Sequence, residues 1–151
     1  MEVLEHLDRR TCLNQLTETV VGRVAFVEDG RPAVELVTHF VWDDVVIILE
    51  RSDTALSGAI RNRTPIAFEA DRIDSTSGTG WYVTVTGRAD RVIDTRELTW
   101  CGAVARSAGL KPDAQYIKIT ESRVAGARIH SHVPARRAGP NQPRRPGPRT
   151  G

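Results

Sequence analysis

Residues 23–49, RVAFVEDGRPAVELVTHFVWDDVVIIL, constrain the fold of this chain more than any other segment. They contain three runs of β-branched and aromatic residues, separated by Glu28-Asp29-Gly30 and by Trp42-Asp43-Asp44. Such runs favour strands, while Asp and Gly favour the tight turns that join neighbouring strands. The segment therefore predicts an antiparallel meander of three strands.

A helix is predicted on each side of this meander. LDRRTCLNQLTETVVG has an apolar stripe at helical spacing behind Asp8, which we expect to be the N-cap. After the meander, LERSDTALSGAIRNR predicts a second helix that starts at Ser52 or Asp53 and ends before Pro65. A strand followed by the free N–H groups of a first helical turn is an arrangement that suits a phosphate group.

The remaining segments add strands and a third helix. TPIAFEAD, WYVTVTGRADRVI, QYIKIT and ARIHS predict strands, with Trp81 on the inward face and Gly87 at a bulge or bend. The third helix is predicted from its N-cap Thr95 to about Ala108, with Gly109 at the C′ position. Its inward side chains are expected to be Leu98, Cys101, Ala105 and Ala108. Six or seven antiparallel strands with short helices predict a mostly β domain, a small closed β-barrel.

Charge and proline content divide the chain at residue 133. The 151 residues are 40% hydrophobic, which is enough for one domain with a core over residues 1–133. Residues 134–151 hold five of the 21 Lys and Arg and none of the 19 acidic residues, so 16 basic residues remain and the domain carries −3. This Arg/Pro-rich tail is expected to be disordered, because it has almost no apolar surface to bury. It has no interleaved aromatic residues, so nucleic-acid binding is not expected.

Cellular location and metal binding follow from absences in the sequence. No apolar run approaches the roughly 20 residues of a membrane helix, and the first ten residues lack the apolar core of a signal peptide. We therefore expect a cytoplasmic protein without membrane contact. Cys12 and Cys101 lie on separate predicted helices, so both are expected to be free thiols. His130 and His132 share a strand face but have no third ligand, so no metal site is predicted.

Four phrases, in this order, resemble the FMN-binding split-barrel superfamily, specifically the actinobacterial pyridoxamine 5′-phosphate oxidase-like proteins. They are VGRVAFVEDGRPAV, TPIAFEAD, GWYVTVTGRADRVID and YIKITESRVAGARI, and the resemblance covers about residues 5–130. It implies a flavin-binding split barrel of six to seven antiparallel strands. It also implies a homodimer with two equivalent flavin sites at the subunit interface, and a cofactor that is FMN or, as in related proteins, a deazaflavin.

The resemblance implies a phosphate site from which this chain departs. The positions of the usual Arg-Thr pair hold Leu49 and Glu50, and those of the usual Gly-Ser-Lys-Leu hold Asp-Thr-Ala-Leu at 53–56. Loss of a charge-assisted arginine contact is expected to cost about 2 kcal/mol, and Glu50 adds repulsion. Arg51 is the one local replacement, alongside Thr54, and a surface ion pair of Arg51 is the alternative.

Six residues are assigned to cofactor binding on this basis. Leu36-Val37-Thr38-His39 occupy the positions of the usual Pro-Val-Asn-Tyr, whose side chains border the isoalloxazine ring. His39 is expected to contact a ring carbonyl, to act as an acid or base, or to ligate a haem iron, and a half-buried polar side chain is the alternative. Trp81 begins a strand near the implied pocket, where core packing is the alternative. The full set is Thr38, His39, Arg51, Ser52, Thr54 and Trp81.

Two classes of function follow from these observations. The first is a pyridoxamine 5′-phosphate oxidase-like oxidoreductase that uses FMN or a deazaflavin and has an atypical phosphate site. A flavin carries its own redox chemistry, so no catalytic residue and no substrate are assigned. The second is a cofactor-free split barrel that serves as a binding or stress-associated protein, which the missing Arg and Lys favour. Haem binding through His39 is a weaker third hypothesis.

Overall fold

The computed structural model describes residues 2–50, 56–111 and 115–131. Within these residues the strands are β1 (Glu2–His6), β2 (Val21–Glu28), β3 (Arg31–Trp42), β4 (Val45–Glu50), β5 (Pro65–Ile73), β6 (Gly80–Arg91) and β7 (Gln115–Ser131). The helices in the same ranges are α1 (Arg9–Leu16), α2 (Leu56–Arg61) and α3 (Thr95–Ser107). The Arg/Pro-rich tail lies outside the described residues, as do the positions of Arg51, Ser52 and Thr54.

The strands form one sheet that closes on itself. Neighbouring strands pair in the order β1-β7-β4-β3-β2-β5-β6, and β6 pairs back with β7. Strands β2 to β7 therefore form a six-stranded antiparallel barrel, and β1 lies outside it as a seventh strand. This confirms the predicted split barrel of six to seven strands.

Strand β7 joins the parts of this sheet. One of its edges pairs with β4 over residues 115–118 and with β1 over residues 127–131. Its other edge pairs with β6 over residues 117–129. The strand therefore completes the barrel on one edge and divides its other edge between the barrel and the outer strand.

Alternation along the strands separates a core from a surface. In β2 every second side chain is buried, with Val24 and Phe26 inside the barrel. In β6 the inward side chains are Trp81, Val83 and Val85, as predicted. Each fully buried side chain of this size contributes about 1.5–3 kcal/mol relative to an exposed one, so the barrel interior is the main source of stability.

Gly87 lies at the predicted irregularity in β6. The pairing of β6 with β7 changes register between Thr86 and Arg88. A Cβ atom at Gly87 would collide with the carbonyl oxygen of Thr120 and approach Ile119 to 2.8 Å. Only glycine allows the two backbones to come this close, which explains the bend.

A second apolar cluster lies outside the barrel, between α3 and the outer surface of β3 and β4. Its buried members are Ile47, Val92, Cys101, Ala105 and Tyr116, with Phe40, Trp42 and Trp100 packed against them. Lys118 donates a hydrogen bond of 2.9 Å to a carboxylate oxygen of Glu97 and ties α3 to β7. Helix α3 therefore covers the end of β3 that carries Phe40 and Trp42.

Three local predictions were wrong. Strand β1 precedes α1 and was not predicted, because its partner β7 lies more than a hundred residues away in sequence. The N-cap of α3 is Asp94 rather than Thr95, and the Asp94 carboxylate accepts hydrogen bonds from the N–H groups of Arg96 and Glu97. The predicted inward positions Leu98 and Ala108 are exposed, since the buried stripe of α3 runs through Cys101, Gly102 and Ala105.

The N-cap of α1, the glycine after α3 and the state of the two cysteines agree with the predictions. Asp8 caps α1 by accepting a hydrogen bond of 2.7 Å from the N–H of Thr11, and Gly109 follows α3 with a φ of 71°. Cys12 and Cys101 are buried free thiols. In the part of the chain that the structure describes, no helix has the length and apolar character of a membrane span, and no three His, Cys, Asp or Glu side chains cluster as a metal site.

Candidate functional site

The outer surface of β2 and β3 carries an unusual number of exposed apolar side chains. Val21 is 54% exposed, Val27 58%, Val34 64% and Leu36 66%, and we call these four residues the outer patch. Their neighbours along each strand face inward, so the outer patch results from valine and leucine occupying both faces of the two strands. Contiguous exposed apolar surface on a folded domain marks a binding or interaction site.

Strand register makes this surface continuous. Leu36 lies opposite Arg23, Val34 lies opposite Ala25, and the next pairs along the ladder place Val21 and Val27 at the two ends of β2. Val21 and Leu36, like Val27 and Val34, are therefore diagonal neighbours about 7–8 Å apart on one face of the ladder, with Arg23 and Ala25 between the two pairs. Helix α3 stops short of them, because it packs on the other end of β3.

A charged group borders the outer patch on the side of β5. The Arg23 guanidinium donates hydrogen bonds to the carboxylates of Glu69, at 3.0 Å, and Asp71, at 2.9 Å. Both carboxylates raise the pKa of Arg23, whereas partial burial and the charge of Asp71 raise the pKa of Glu69 above its ordinary range despite Arg23. The outer patch therefore has a charged border in which two carboxylates share one guanidinium.

The end of the face at Thr38 and Leu49 is where a phosphate would bind by resemblance. Thr38 lies on the outer face, opposite Leu49 of β4 and Val21 of β2. Leu49 packs against the cluster under α3, and Leu56 is fully buried at the start of α2. Neither of these side chains provides a charge or a hydrogen bond, so the described part of the phosphate site contains no cation.

His39 lies inside the barrel rather than on this face. It is 1% exposed, and its ring packs on Phe68 with ring centroids 4.8 Å apart. Its Nε2 lies 3.0 Å from the carbonyl oxygen of Leu16, which only accepts, so Nε2 carries the proton and donates. Nδ1 is buried without a hydrogen-bond partner among the described residues. Burial lowers the pKa of His39, and the ring is held neutral between β3 and the end of α1.

Trp81 also contributes to the core. It is 6% exposed and belongs to the barrel cluster with Val83 and Phe68. The structure therefore brings together neither His39 nor Trp81 with Thr38 on the outer face. Arg51, Ser52 and Thr54 lie outside the described residues, so their assignment to a cofactor stays a prediction.

The outer face fits one part of a flavin and not the other. A flavin ring system is flat and largely apolar, and the outer patch offers an open apolar surface beside polar groups at Arg23 and Glu69. The phosphate requires cations or free N–H groups, and the described position where the resemblance implies an arginine holds Leu49 instead. The other positions of the implied phosphate site fall mostly within residues 50–55.

Sequence reasoning missed the outer patch, although a signal was present. In VGRVAFVEDGRPAVELV, valine or leucine occupies both odd and even positions along β2 and β3, so both faces of these strands carry apolar side chains. A strand with one face in water typically has polar side chains on that face. Arg23 was not linked to Glu69 and Asp71 either, because only the pairing of β2 with β5 brings it beside them.

Comparison with known proteins shows a family-level match. Residues 8–136 match the sequence profile of the family described as pyridoxamine 5′-phosphate oxidase. The uncharacterized protein Rv0080 of Mycobacterium tuberculosis is 38% identical over 101 residues, which span 64% of this chain and 66% of that protein. The match thus spans slightly less than two thirds of this relative's length.

Solved structures share the fold. A FAD-binding protein from Mesorhizobium loti superposes with a TM-score of 0.71 at 17% identity, covering 87% of this chain and 100% of that one. A FAD- and haem-binding protein from Mycobacterium smegmatis superposes with a TM-score of 0.63 at 15% identity, covering 83% of this chain and 74% of that one. At these identities the likeness establishes the barrel architecture alone.

Proposed function

The chain belongs to the pyridoxamine 5′-phosphate oxidase family, and from this premise we propose that it is an oxidoreductase that binds a flavin or deazaflavin on the outer face of β2 and β3. The observation that carries the proposal is the outer patch, which is open, apolar and bordered by Arg23, Glu69 and Asp71. When bound, the ring would supply the electron or hydride transfer. FMN and a deazaflavin are the cofactors that the resemblance implies, and FAD joins them because the similar structures are of FAD-binding proteins.

The protein's own residues would hold the ring and exclude water from one of its faces. Leu36 and Val34 present flat apolar contact, and Thr38 supplies a hydroxyl at the end of the face where β3 pairs with Leu49 of β4. Glu69 would stand beside the ring, held by the Arg23 guanidinium at 3.0 Å. His39 takes no part as a haem ligand in this proposal, since Nε2 is engaged by Leu16 and Nδ1 is enclosed.

A second copy of the chain would complete this site as a homodimer. Side chains as exposed as Leu36 and Val34 are costly to leave in water, at roughly 25 cal/mol per Å² of apolar surface. A second copy that covers the outer patch removes this cost and encloses a ring bound between the two faces. The resemblance implies such an interface, and the outer patch is the described surface that suits it.

A cofactor-free binding protein is the second candidate. Leu49 favours it, because this half-buried side chain stands where the resemblance implies an arginine and packs against the cluster under α3. This candidate keeps the dimer and dispenses with the redox chemistry.

Titration with paired ligands separates the two candidates. We expect the fluorescence of FMN, FAD or a deazaflavin to be quenched or shifted when it binds. We also expect the dissociation constant of riboflavin to lie within about threefold of that of FMN, since the apolar ring contact dominates the affinity. FMN binding far tighter than riboflavin would instead locate the affinity in residues 50–55, and Arg51→Ala or Thr54→Ala would then weaken it. A protein that takes up none of these ligands would refute the oxidoreductase proposal.

The dimer is tested independently of the cofactor. Leu36→Asp is expected to convert a dimer to a monomer in analytical ultracentrifugation, because the charge would be buried at the interface. Ile93→Asp is the matched control, since Ile93 is 81% exposed after the end of β6 and away from the outer patch. A Leu36→Asp variant that stays dimeric would remove this face from the interface, whatever the outcome of the flavin titration.

A further inference from the structure

A second open surface lies where the end of β3 meets α3. Trp42, at the end of β3, meets Trp100 of α3 edge to face, with ring centroids 4.1 Å apart. With Thr95, Arg96, Thr99 and Ala103 they line an open cleft of about 480 Å³. Both indole rings are half-buried, so each presents one surface to the cleft. We call this surface the tryptophan cleft.

The surroundings of the tryptophan cleft are acidic on balance. Asp43 and Asp44 form the exposed turn that follows Trp42, and Asp94 caps α3 next to the cleft. Hydrogen bonds from the N–H groups of Glu97 and Arg96 lower the pKa of Asp94, so it is ionised. Arg96 lines the cleft as a cation, whereas the charge of Lys118 is already balanced by Glu97. Three carboxylates against one guanidinium leave a net negative edge.

We propose that the tryptophan cleft binds the Arg/Pro-rich tail of the same chain. The tail contains two successive Pro-x-x-Pro units, PNQP at 140–143 and PRRP at 143–146, and ends in further Pro and Arg. Proline-rich segments bind grooves lined by aromatic rings, since the extended polyproline conformation loses little entropy on docking. Arginine side chains stack on indole faces and are attracted to the carboxylates at the edge.

The length of the tail decides which part of it reaches the cleft. Ile47 of β4 pairs with Lys118 of β7. If this antiparallel register is continued by two residues, Val45 and its partner Trp42 on β3 lie level with about Thr120. From there to its end at Ser131, β7 extends for eleven residues, or at most about 36 Å. An extended return path at about 3.1 Å per residue needs roughly twelve residues. The residues that reach the tryptophan cleft are therefore about 143–149, PRRPGPR.

Paramagnetic labelling of the full chain tests this placement. A nitroxide attached through Thr150→Cys is selective, because Cys12 and Cys101 are both 0% exposed. In a ¹⁵N-labelled protein we expect the label to broaden the amide signals of Asp43, Asp44 and Thr99. The signals of Gly30, in the turn between β2 and β3, serve as the reference.

Three double variants and one mixture of nitroxide-labelled and nitroxide-free chains decide the outcome. Asp43→Asn with Asp44→Asn removes the charge and suits the left-handed φ of 47° and 60° at these positions, and we expect about threefold less broadening at Thr99. Substitution of both arginines at 144–145 by Gln should act similarly, whereas the same change at 136–137 should have no effect. Absence of local broadening, or its concentration near Gly30, would overturn the proposal. In a mixture of nitroxide-free ¹⁵N chains and nitroxide-labelled ¹⁴N chains, broadening of the ¹⁵N signals would show that the tail comes from a second copy. That result would overturn the intramolecular placement.

Discussion

Acid should destabilise this protein through His39 before its carboxylates are protonated. The unfolded chain protonates His39 near the ordinary pKa of 6.5, while burial lowers that pKa in the folded state. Below pH 6.5 the unfolded state therefore binds a proton that the folded state does not, and the free energy of unfolding falls with pH. Each pH unit between the two pKa values removes about 1.4 kcal/mol. The contribution of His39 is complete above pH 6.5 and declines as the pH falls toward the native pKa.

Urea unfolding at pH 7, 6 and 5 measures this effect, with His39→Gln as the comparison. Glutamine retains an N–H donor for the Leu16 carbonyl and does not titrate, so the variant should lose less stability on acidification than the unchanged protein. The other histidines are common to both proteins and cancel in the difference. His6→Gln, at an exposed position of β1, is the control and should keep the original pH slope. Equal slopes for the unchanged protein and His39→Gln would refute a neutral, buried His39.

Three further predictions concern the scaffold. Asp94→Ala should lower the urea midpoint more than Thr95→Ala, because Asp94 caps α3, and the reverse order would restore the sequence-based assignment. Gly126→Ala should lower the free energy of unfolding by about 1–3 kcal/mol, since the new Cβ would lie 2.7 Å from the Tyr82 carbonyl oxygen. Gly58→Ala in α2 has room for the Cβ and should raise the free energy of unfolding by roughly 0.5 kcal/mol. Equal unfolding midpoints for the two variants would contradict both predictions. Burial raises the pKa of Cys101 to about 11, so at pH 8 about one thiol in a thousand is ionised. A disulfide reagent should therefore react with Cys101 only as fast as the protein opens. Reaction at the rate of a free thiol would contradict this prediction.

Local pattern was sufficient for the parts of the fold that depend on neighbours in sequence. The turns at Asp29-Gly30 and Asp43-Asp44 and the cap at Asp8 rest on contacts within a few residues, and each was predicted correctly. The bend at Gly87 was predicted because a glycine inside a strand has no side chain to pack and typically marks a bulge or a close approach of two backbones.

The remaining features depend on register between distant strands. The pairing of His39 with Ile48 and of Thr38 with Leu49 decides that His39 faces the core and Thr38 the surface. A shift of the strand register by one residue would exchange the faces on which the two side chains lie. Similarly, β1 has strand structure only because β7 offers it an edge. The candidate site is therefore harder to predict than the fold, since it consists of side chains whose orientation is a property of the closed barrel.

The position of β7 has a consequence for how the chain folds during synthesis. Strand β7 supplies partners to β1, β4 and β6, and the contact between β1 and β7 joins residues separated by more than a hundred positions. Until residues 115–131 have left the ribosome, β4 and β6 each keep a free edge and the barrel interior stays open. Loop closure of this length slows folding, and free edges invite pairing with other chains. Nascent chains arrested before β7 should therefore require chaperone protection, and release of β7 should trigger a late, cooperative closure.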